Sequence, residues 1–439
     1  MRGKTLKIVG INILVLLLLL ELLGVAIYFL QKKAFFYTDS PDRKAAGIQE
    51  TAVHRDAAAN RQQTRLTDKR FHPFFGYTYR ANSGKSNNYG FDCPYDYPLA
   101  RERPEWYIIG IFGGSVADDF YREGTERLRA KLTQHPFFAS REIICLNFAM
   151  GGYKQPQQVE ILTYFLSLGQ ELDMVINIDG FNEVVFCFNN NRLNVDIAMP
   201  SAQHLLPLRD LMESGALNQE KLDSLWKIQH YKGKLNRLEK TLQHTPLAFL
   251  YLVGSTYRSL LYQKYRAEIL RFDGLIKPVK AGQVVDSLLN IKTTPAVRDE
   301  SRLLAEIASL WSRCSTVMSR SLAAQQGKSL YFHFLQPNQY QSKKIFTPEE
   351  QKSALDQQLP YHILVGKGYP VLQSAIPRLR ENQVNAFSAV EIFDNLEKTV
   401  YIDNCCHFNR LGNEVLADFI VQCLSPYFDV SPNSKPKGP

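Results

Sequence analysis

The chain has 439 residues, of which 45% are hydrophobic and 22% charged, and it carries a formal net charge of +9. Such a composition excludes a disordered or fibrous protein and leaves enough chain for a sizeable core in one large domain or two ordinary ones. Lys and Arg are scattered, with no zinc-finger spacing and no RNA-binding aromatic signature, so nucleic acid is not an expected partner. A charge of this size permits attraction to an anionic polymer or to lipid headgroups without establishing it.

The first element is a nearly unbroken apolar run from Ile8 to Leu30, long enough to cross a bilayer as a helix. Arg2, Lys4 and Lys7 precede it and Lys32 and Lys33 follow it, so flanking charge favours neither orientation strongly. A short N-terminal tail before a large domain points to a cytoplasmic tail and an extracytoplasmic remainder. A cleaved signal peptide is the rival. Its apolar region is usually shorter and ends at a small-x-small site, whereas this run leads into Gln31-Lys32-Lys33-Ala34-Phe35-Phe36. The expectation is therefore an uncleaved anchor over residues 1–33 and a cell-membrane protein with its large domain periplasmic or extracellular. Asn12 and Glu21 interrupt the run; Glu21 either faces a partner or is carried as a protonated side chain.

Residues 34–70 are polar and of mixed charge and read as a membrane-proximal stalk. A globular pattern begins at residue 71 and runs to about 430. Trp106 to Phe112 has strand character and ends at Gly113-Gly114; Asp118 to His135 has helical spacing. Ile143 to Phe148 is a second strand candidate, Pro156 to Leu168 is helical, and Met174 to Ile178 is a third strand, closed by Asp179-Gly180. Strands alternating with helices predict an α/β domain on a parallel sheet. The alternation stops over about 189–298, where Leu222 to Leu242 and Leu247 to Ile269 read as helices of an insertion. Strand patterns return at Ser329 to Leu335 and Val390 to Phe393, and Leu411 to Cys423 is a last helix. Residues 431–439 read as a disordered tail.

The seven cysteines include no CxxC pair and no Cys/His spacing suited to zinc, so no metal is expected. Cys145 and Cys187 lie in or beside apolar runs and read as buried thiols. In an oxidising compartment one of the adjacent Cys405 and Cys406 could bridge to Cys93 or Cys423, and the odd count leaves at least one thiol without an internal partner.

Four segments carry candidate chemistry, each where a parallel sheet would place a ligand, beyond the C-terminal ends of its strands. In Gly113-Gly114-Ser115 a strand ends in two glycines and a serine opens a helix, whose free N–H groups and dipole favour developing negative charge. Taken alone, Ser115 is more readily a plain helix cap. Asn147 to Tyr153 follows the second strand, and Gly152 there lets a backbone N–H approach a ligand. Gly180-Phe181-Asn182-Glu183 follows the third; an Asn amide at such a turn can donate to an oxyanion, or simply satisfy its own turn. In Asp403-Asn404-Cys405-Cys406-His407 an acid shortly before a histidine suits a base held and oriented by a carboxylate.

The order Ser, Gly, Asn, His, with the His just before a final helix, resembles the block signature of the SGNH (GDSL-like) serine hydrolases, over roughly residues 72–425 without the insertion. An α/β-hydrolase proper would want Gly-x-Ser-x-Gly, and Ala117 stands where the second Gly belongs. The resemblance implies a three-layer, flavodoxin-like parallel-sheet sandwich. It implies Ser115 as nucleophile, His407 as base, and an oxyanion hole from Ser115, Gly152 and Asn182, with no cofactor. Gly114 replaces the family's motif Asp. The family's last block reads Asp-x-x-His; here Asn404 lies three residues before His407 and Asp403 four, so either Asp403 serves through a bulge or Asn404 is the orienting residue. Membrane-anchored members resemble O-acylation factors of bacterial surface polysaccharides. The implied substrate is an acyl ester or O-acetylated glycan of the envelope, cleaved or formed. The alternative is a weakly active or inactive domain that binds glycan or envelope protein partners in an assembly.

Overall fold

The computed structural model describes residues 2–39, 69–205, 219–275, 291–326, 329–355 and 360–429. Most of the expected stalk and all of the expected C-terminal tail lie outside these residues. In chain order the described elements are α1 (Arg2–Lys32), β1 (Lys69–His72), β2 (Gly76–Tyr79), β3 (Trp106–Gly113), α2 (Ser115–Glu123), α3 (Thr125–Leu132), β4 (Glu142–Asn147), α4 (Gln157–Ser167), β5 (Met174–Asp179), α5 (Phe181–Arg192), α6 (Gln219–Gln243), α7 (Ala248–Leu275), α8 (Glu300–Gln326), β6 (Leu330–Leu335), α9 (Pro348–Ser353), α10 (Tyr361–Glu381), β7 (Asn385–Ser388) and α11 (Arg410–Leu424). They form two compact units, one of Met1–Gln63 with Ser214–Pro278 and the other of Thr64–Glu213 with Val279–Pro439.

The larger unit is built on a five-stranded parallel sheet in the order β4-β3-β5-β6-β7. Counted along the chain this is the 2-1-3-4-5 order of doubly wound sheets, whose ligand crevice lies where the order reverses, beside β3. Every residue of β3 and β5 is buried, as strands covered on both faces must be. α2, α3 and α11 pack together in one group of helices, and α8, α10, α5 and α4 in another. A small antiparallel pair, β1 with β2, stands apart from the main sheet.

Two sequence expectations differ from the structure. The Asp118 to His135 helix is broken at Gly124, the C-cap of α2 and N-cap of α3, where a Cβ would stand 2.5 Å from the Phe120 ring. Val390 to Phe393 is not a strand; the last strand is β7, at Asn385–Ser388. Val390 and Phe393 are apolar because they plug the core, with the Phe393 ring against Tyr401 and Phe408, and not because they pair in the sheet.

The chain leading into the last candidate block is fixed by a buried ion pair. Glu350 accepts from the backbone N–H of Val400 and Tyr401 at 2.8 and 3.1 Å, and Lys344 Nζ meets its other oxygen at 3.1 Å with both side chains fully buried. Removing one partner strands a buried charge. Glu350→Ala is therefore expected to cost about 3–5 kcal/mol in a denaturant titration. A loss near zero would show that the pair does not hold this segment.

The smaller unit contains α1, α6 and α7. α1 includes Leu14–Gln31, a stretch long and apolar enough to span a membrane, a property that a signal sequence shares. α6 and α7 form an antiparallel hairpin, and α1 packs against α7 through Tyr28, Ala248 and Tyr251, joined by Phe36 just after α1. Glu21 has a partner: its two oxygens accept the backbone N–H groups of Ala248 and Phe249, at 2.6 and 3.1 Å, and the Tyr37 hydroxyl at 2.5 Å.

Candidate active site

Ser115 is the first residue of α2, directly after the β3 turn, so its N–H has no acceptor within the helix. Gly113, at φ +139°, makes the turn; a Cβ there would lie 2.0 Å from the Ile178 carbonyl oxygen of neighbouring β5. Ser115 is thereby presented at the end of the strand beside which the sheet order reverses.

The Ser115 hydroxyl lies 2.7 Å from His407 Nε2, and His407 Nδ1 lies 2.5 Å from Asp403 Oδ2. A serine, an imidazole and a carboxylate from opposite ends of the chain thus form one hydrogen-bonded line. Asp403, four residues before His407, makes this contact because the chain bulges around its carboxylate: Oδ1 accepts the N–H groups of Cys405, Cys406 and His407 at 3.0–3.1 Å. Asn404 is placed otherwise, with its carbonyl oxygen accepting the Tyr340 hydroxyl at 2.9 Å.

Burial alone would raise the Asp403 pKa, but the charge and hydrogen bonds of His407, with the N–H of Cys405, outweigh it and hold the carboxyl below its ordinary value. For His407, burial works to lower the pKa; the facing Asp403 carboxylate, with Cys406 and Asp119 adding to it, prevails and pushes it up to about 10. Such a site stabilises an imidazolium next to a serine hydroxyl. It is the arrangement needed to take a proton from a nucleophile and hold the resulting charge.

The turn carrying Asp403 is clamped by the segment after β6. Asn338 Nδ2 donates to the Cys405 carbonyl at 3.2 Å, and Gln339 Nε2 donates to the Asp403 carbonyl at 3.1 Å. With Tyr340 on Asn404, three consecutive residues hold three consecutive carbonyls. Nothing local in the sequence at Asn338, Gln339 or Tyr340 signals this clamping role.

The other two blocks converge on Gly114. Asn182 is the second residue of α5, at whose start Glu183 Oε2 accepts the Gly180 N–H at 2.7 Å and Oε1 the Gln155 N–H at 3.1 Å. Burial and the nearby Asp179 push the Glu183 pKa up to about 8. The Asn182 amide donates to the Tyr153 carbonyl at 2.7 Å, and a Cβ on Gly114 would lie 2.1 Å from Asn182 Nδ2. An amide carries two donors, so the Tyr153 contact leaves one for another acceptor. Gly152, at φ +90°, lies under Tyr77 and His204; a Cβ would come within 2.5 Å of the Tyr77 hydroxyl. Lys69 and Tyr77 on β1 and β2 both donate to the Gly151 carbonyl, at 3.2 and 3.1 Å. These supports of the glycine turn come from distant parts of the chain and have no local sequence signal.

All seven cysteines are free thiols, so the bridge considered between Cys405 or Cys406 and Cys93 or Cys423 does not form. Cys405 and Cys406 face each other at 3.6 Å, and Cys93 Sγ accepts the Tyr121 hydroxyl. The donor atoms of Cys405, Cys406 and His407 lie within 4.8 Å of one another, a cluster of metal-binding type that the sequence spacing does not suggest. Both His407 nitrogens are already engaged, by Ser115 and Asp403, so a metal there would have to displace one of them.

No known family profile matches the chain, and no curated protein matches it. Among solved structures it is similar to a lipase from a goat rumen metagenome, at 10% identity and a TM-score of 0.32, over 74% of this chain and 100% of the lipase. A likeness that slight carries no argument about activity.

Proposed function

We propose that the protein is a membrane-anchored serine ester hydrolase of SGNH type, working on or forming acyl esters of an envelope polysaccharide outside the cytoplasm. The observation that carries the esterase reading is the line from Ser115 through His407 to Asp403. In this reading Ser115 Oγ attacks the ester carbonyl carbon as its proton passes to His407 Nε2. Asp403 keeps the imidazole oriented and stabilises its charged form. The N–H groups of Ser115 and Gly152 and the free donor of Asn182 hold the oxyanion. The intermediate collapses, the departing alcohol takes the proton from His407, and water repeats the sequence in reverse to release the acid. If a sugar hydroxyl replaces that water, the same steps transfer the acyl group. The apolar run of α1 supports the anchor, and the resemblance to O-acylation factors supports the glycan substrate. The test is hydrolysis of p-nitrophenyl acetate by the full chain in detergent, followed by acetate release from an O-acetylated polysaccharide. No turnover of either ester would sink the esterase reading, while turnover of the first alone would sink the glycan assignment.

Two further outcomes follow from the geometry. Only neutral His407 can accept the serine proton. Because its pKa is raised from 6.5 toward about 10, the neutral fraction still grows above pH 7. The acid limb of kcat/KM is therefore expected on the alkaline side of 6.5, climbing about tenfold per pH unit below the pKa. Initial rates from pH 6 to 10, corrected with Ser115→Ala blanks, would refute this by a plateau reached at pH 6.5. Gly114→Ala would drive its methyl group into the Asn182 amide. Displacing one oxyanion donor is expected to lower kcat by about 10²–10³ with KM little changed. An unaltered kcat would remove Asn182 from the oxyanion hole.

A further inference from the structure

α1, α6 and α7 contain a feature that the ester chemistry does not use. Glu21 stands inside the apolar run of α1, and its carboxylate caps the N-terminus of α7 through the N–H groups of Ala248 and Phe249. A helix start leaves N–H groups without partners, and a carboxylate there is favoured by the helix dipole. The approach is close: a Cβ on Gly24 would stand 2.6 Å from Phe249 N. The tip of the α6–α7 hairpin is thus fastened to one level of α1. That level lies nine residues before Leu30, or about 14 Å along the helix axis, so in a bilayer filled by Ile8 to Leu30 it lies inside the hydrocarbon.

The hairpin surface agrees with that depth. On α7, Leu250, Val253, Tyr257 and Leu260 are 49%, 51%, 52% and 54% exposed, and their spacing puts them on one face. Farther from the tip Gln263, Lys264 and Arg271 are exposed, and the apolar positions exposed there, Leu270 on α7 and Leu222 and Trp226 on α6, are separated in sequence from the Leu250 to Leu260 series. A groove of about 650 Å³ at the tip has an apolar wall of Leu238, Leu242, Pro246, Leu250 and Gly254 and a polar wall of Lys240, Thr241, His244 and Thr245. Four backbone N–H groups around the tip have partners within the protein, which lowers the cost of placing them in lipid. Pro246 has no N–H, Glu21 takes two N–H groups, and the N–H groups of His244 and Thr245 reach the Thr241 and Leu242 carbonyls.

We infer that the α6–α7 hairpin is a membrane-penetrating element whose tip sits in the leaflet that holds the C-terminal end of α1, with lipid acyl chains covering the Leu250, Val253, Tyr257 and Leu260 face. This rests on the proposed reading of α1 as a membrane span. Lys234 and Arg237, exposed on α6 farther from the tip, suit anionic headgroups around the point of entry.

The test is photo-crosslinking of the full chain in phosphatidylcholine–phosphatidylglycerol vesicles. Benzoylphenylalanine is placed singly at Leu17, Leu250, Val253 or Gln263, and lipid adducts are read by mass spectrometry. All four side chains are exposed, so the fold is not at risk. Adducts at 250 and 253 of the same order as at 17, with background at 263, are the expected result. Adducts at 17 but not at 250 or 253 would overturn the hairpin inference while the span stands. Background at 17 as well would overturn the span and the inference together, and adducts at all four would deny the hairpin its defined depth.

Discussion

Ser115→Ala is expected to abolish ester turnover, with a fall in kcat of about 10⁴–10⁶ and no change in folding. In serine hydrolases generally, loss of the nucleophile costs about as much as loss of the whole catalytic line, because serine and base act as a unit. Ser115 Oγ touches His407 and is only partly buried, so its removal leaves neither a cavity of consequence nor an orphaned buried charge. Thermal denaturation of the variant should match that of the parent. His407→Ala should produce a loss of the same order, and the double variant little more. Losses that added in the double variant would mean that the two residues do not act together.

Asp403→Asn is expected to lower kcat by about 10⁴, the cost of presenting histidine with an amide in place of its carboxylate. The carboxylate has two tasks here. Oδ2 holds His407 Nδ1, and Oδ1 gathers the N–H groups of Cys405, Cys406 and His407. An amide can keep its oxygen toward the backbone donors, which preserves the turn, but its NH₂ then faces Nδ1 and selects the wrong tautomer. The pH dependence should change with it: without the facing negative charge the His407 pKa falls, and the acid limb should move to lower pH. Asn404→Ala is the matched control. Its backbone, not its side chain, meets Tyr340, so kcat should change by less than about threefold. A reversal of these two results would make Asn404 the orienting residue.

The contrast between Asp403 and Asn404 shows what could and could not be read from the sequence. The candidate segments are local, each a strand end, a turn and a helix start, and the residue types mark them. Whether the acid stands three or four residues before the histidine depends on a bulge, and the bulge depends on Asn338, Gln339 and Tyr340 holding the turn from outside. Those contacts span more than sixty positions and leave no periodic trace. Lys69 and Tyr77 under Gly151 are hidden for the same reason. The strands were legible where both faces are buried, as in β3 and β5, whose apolar runs are continuous. β7 was missed because it is a short edge strand reading Asn-Ala-Phe-Ser, while the more apolar Val390 to Phe393 beside it fills the core. For Glu21 the sequence offered a partner or a proton. The partner is the start of a helix more than two hundred residues away, which no local pattern could name.

The central claim is that Ser115 is an activated nucleophile, and the most direct measurement is covalent labelling of the full chain by a fluorophosphonate probe, with the modified residue mapped by peptide mass spectrometry. The account predicts a single adduct on the peptide carrying Gly113-Gly114-Ser115, absent from Ser115→Ala and strongly slowed in His407→Ala. No adduct on the parent protein, or equal labelling of Ser115→Ala, would contradict it.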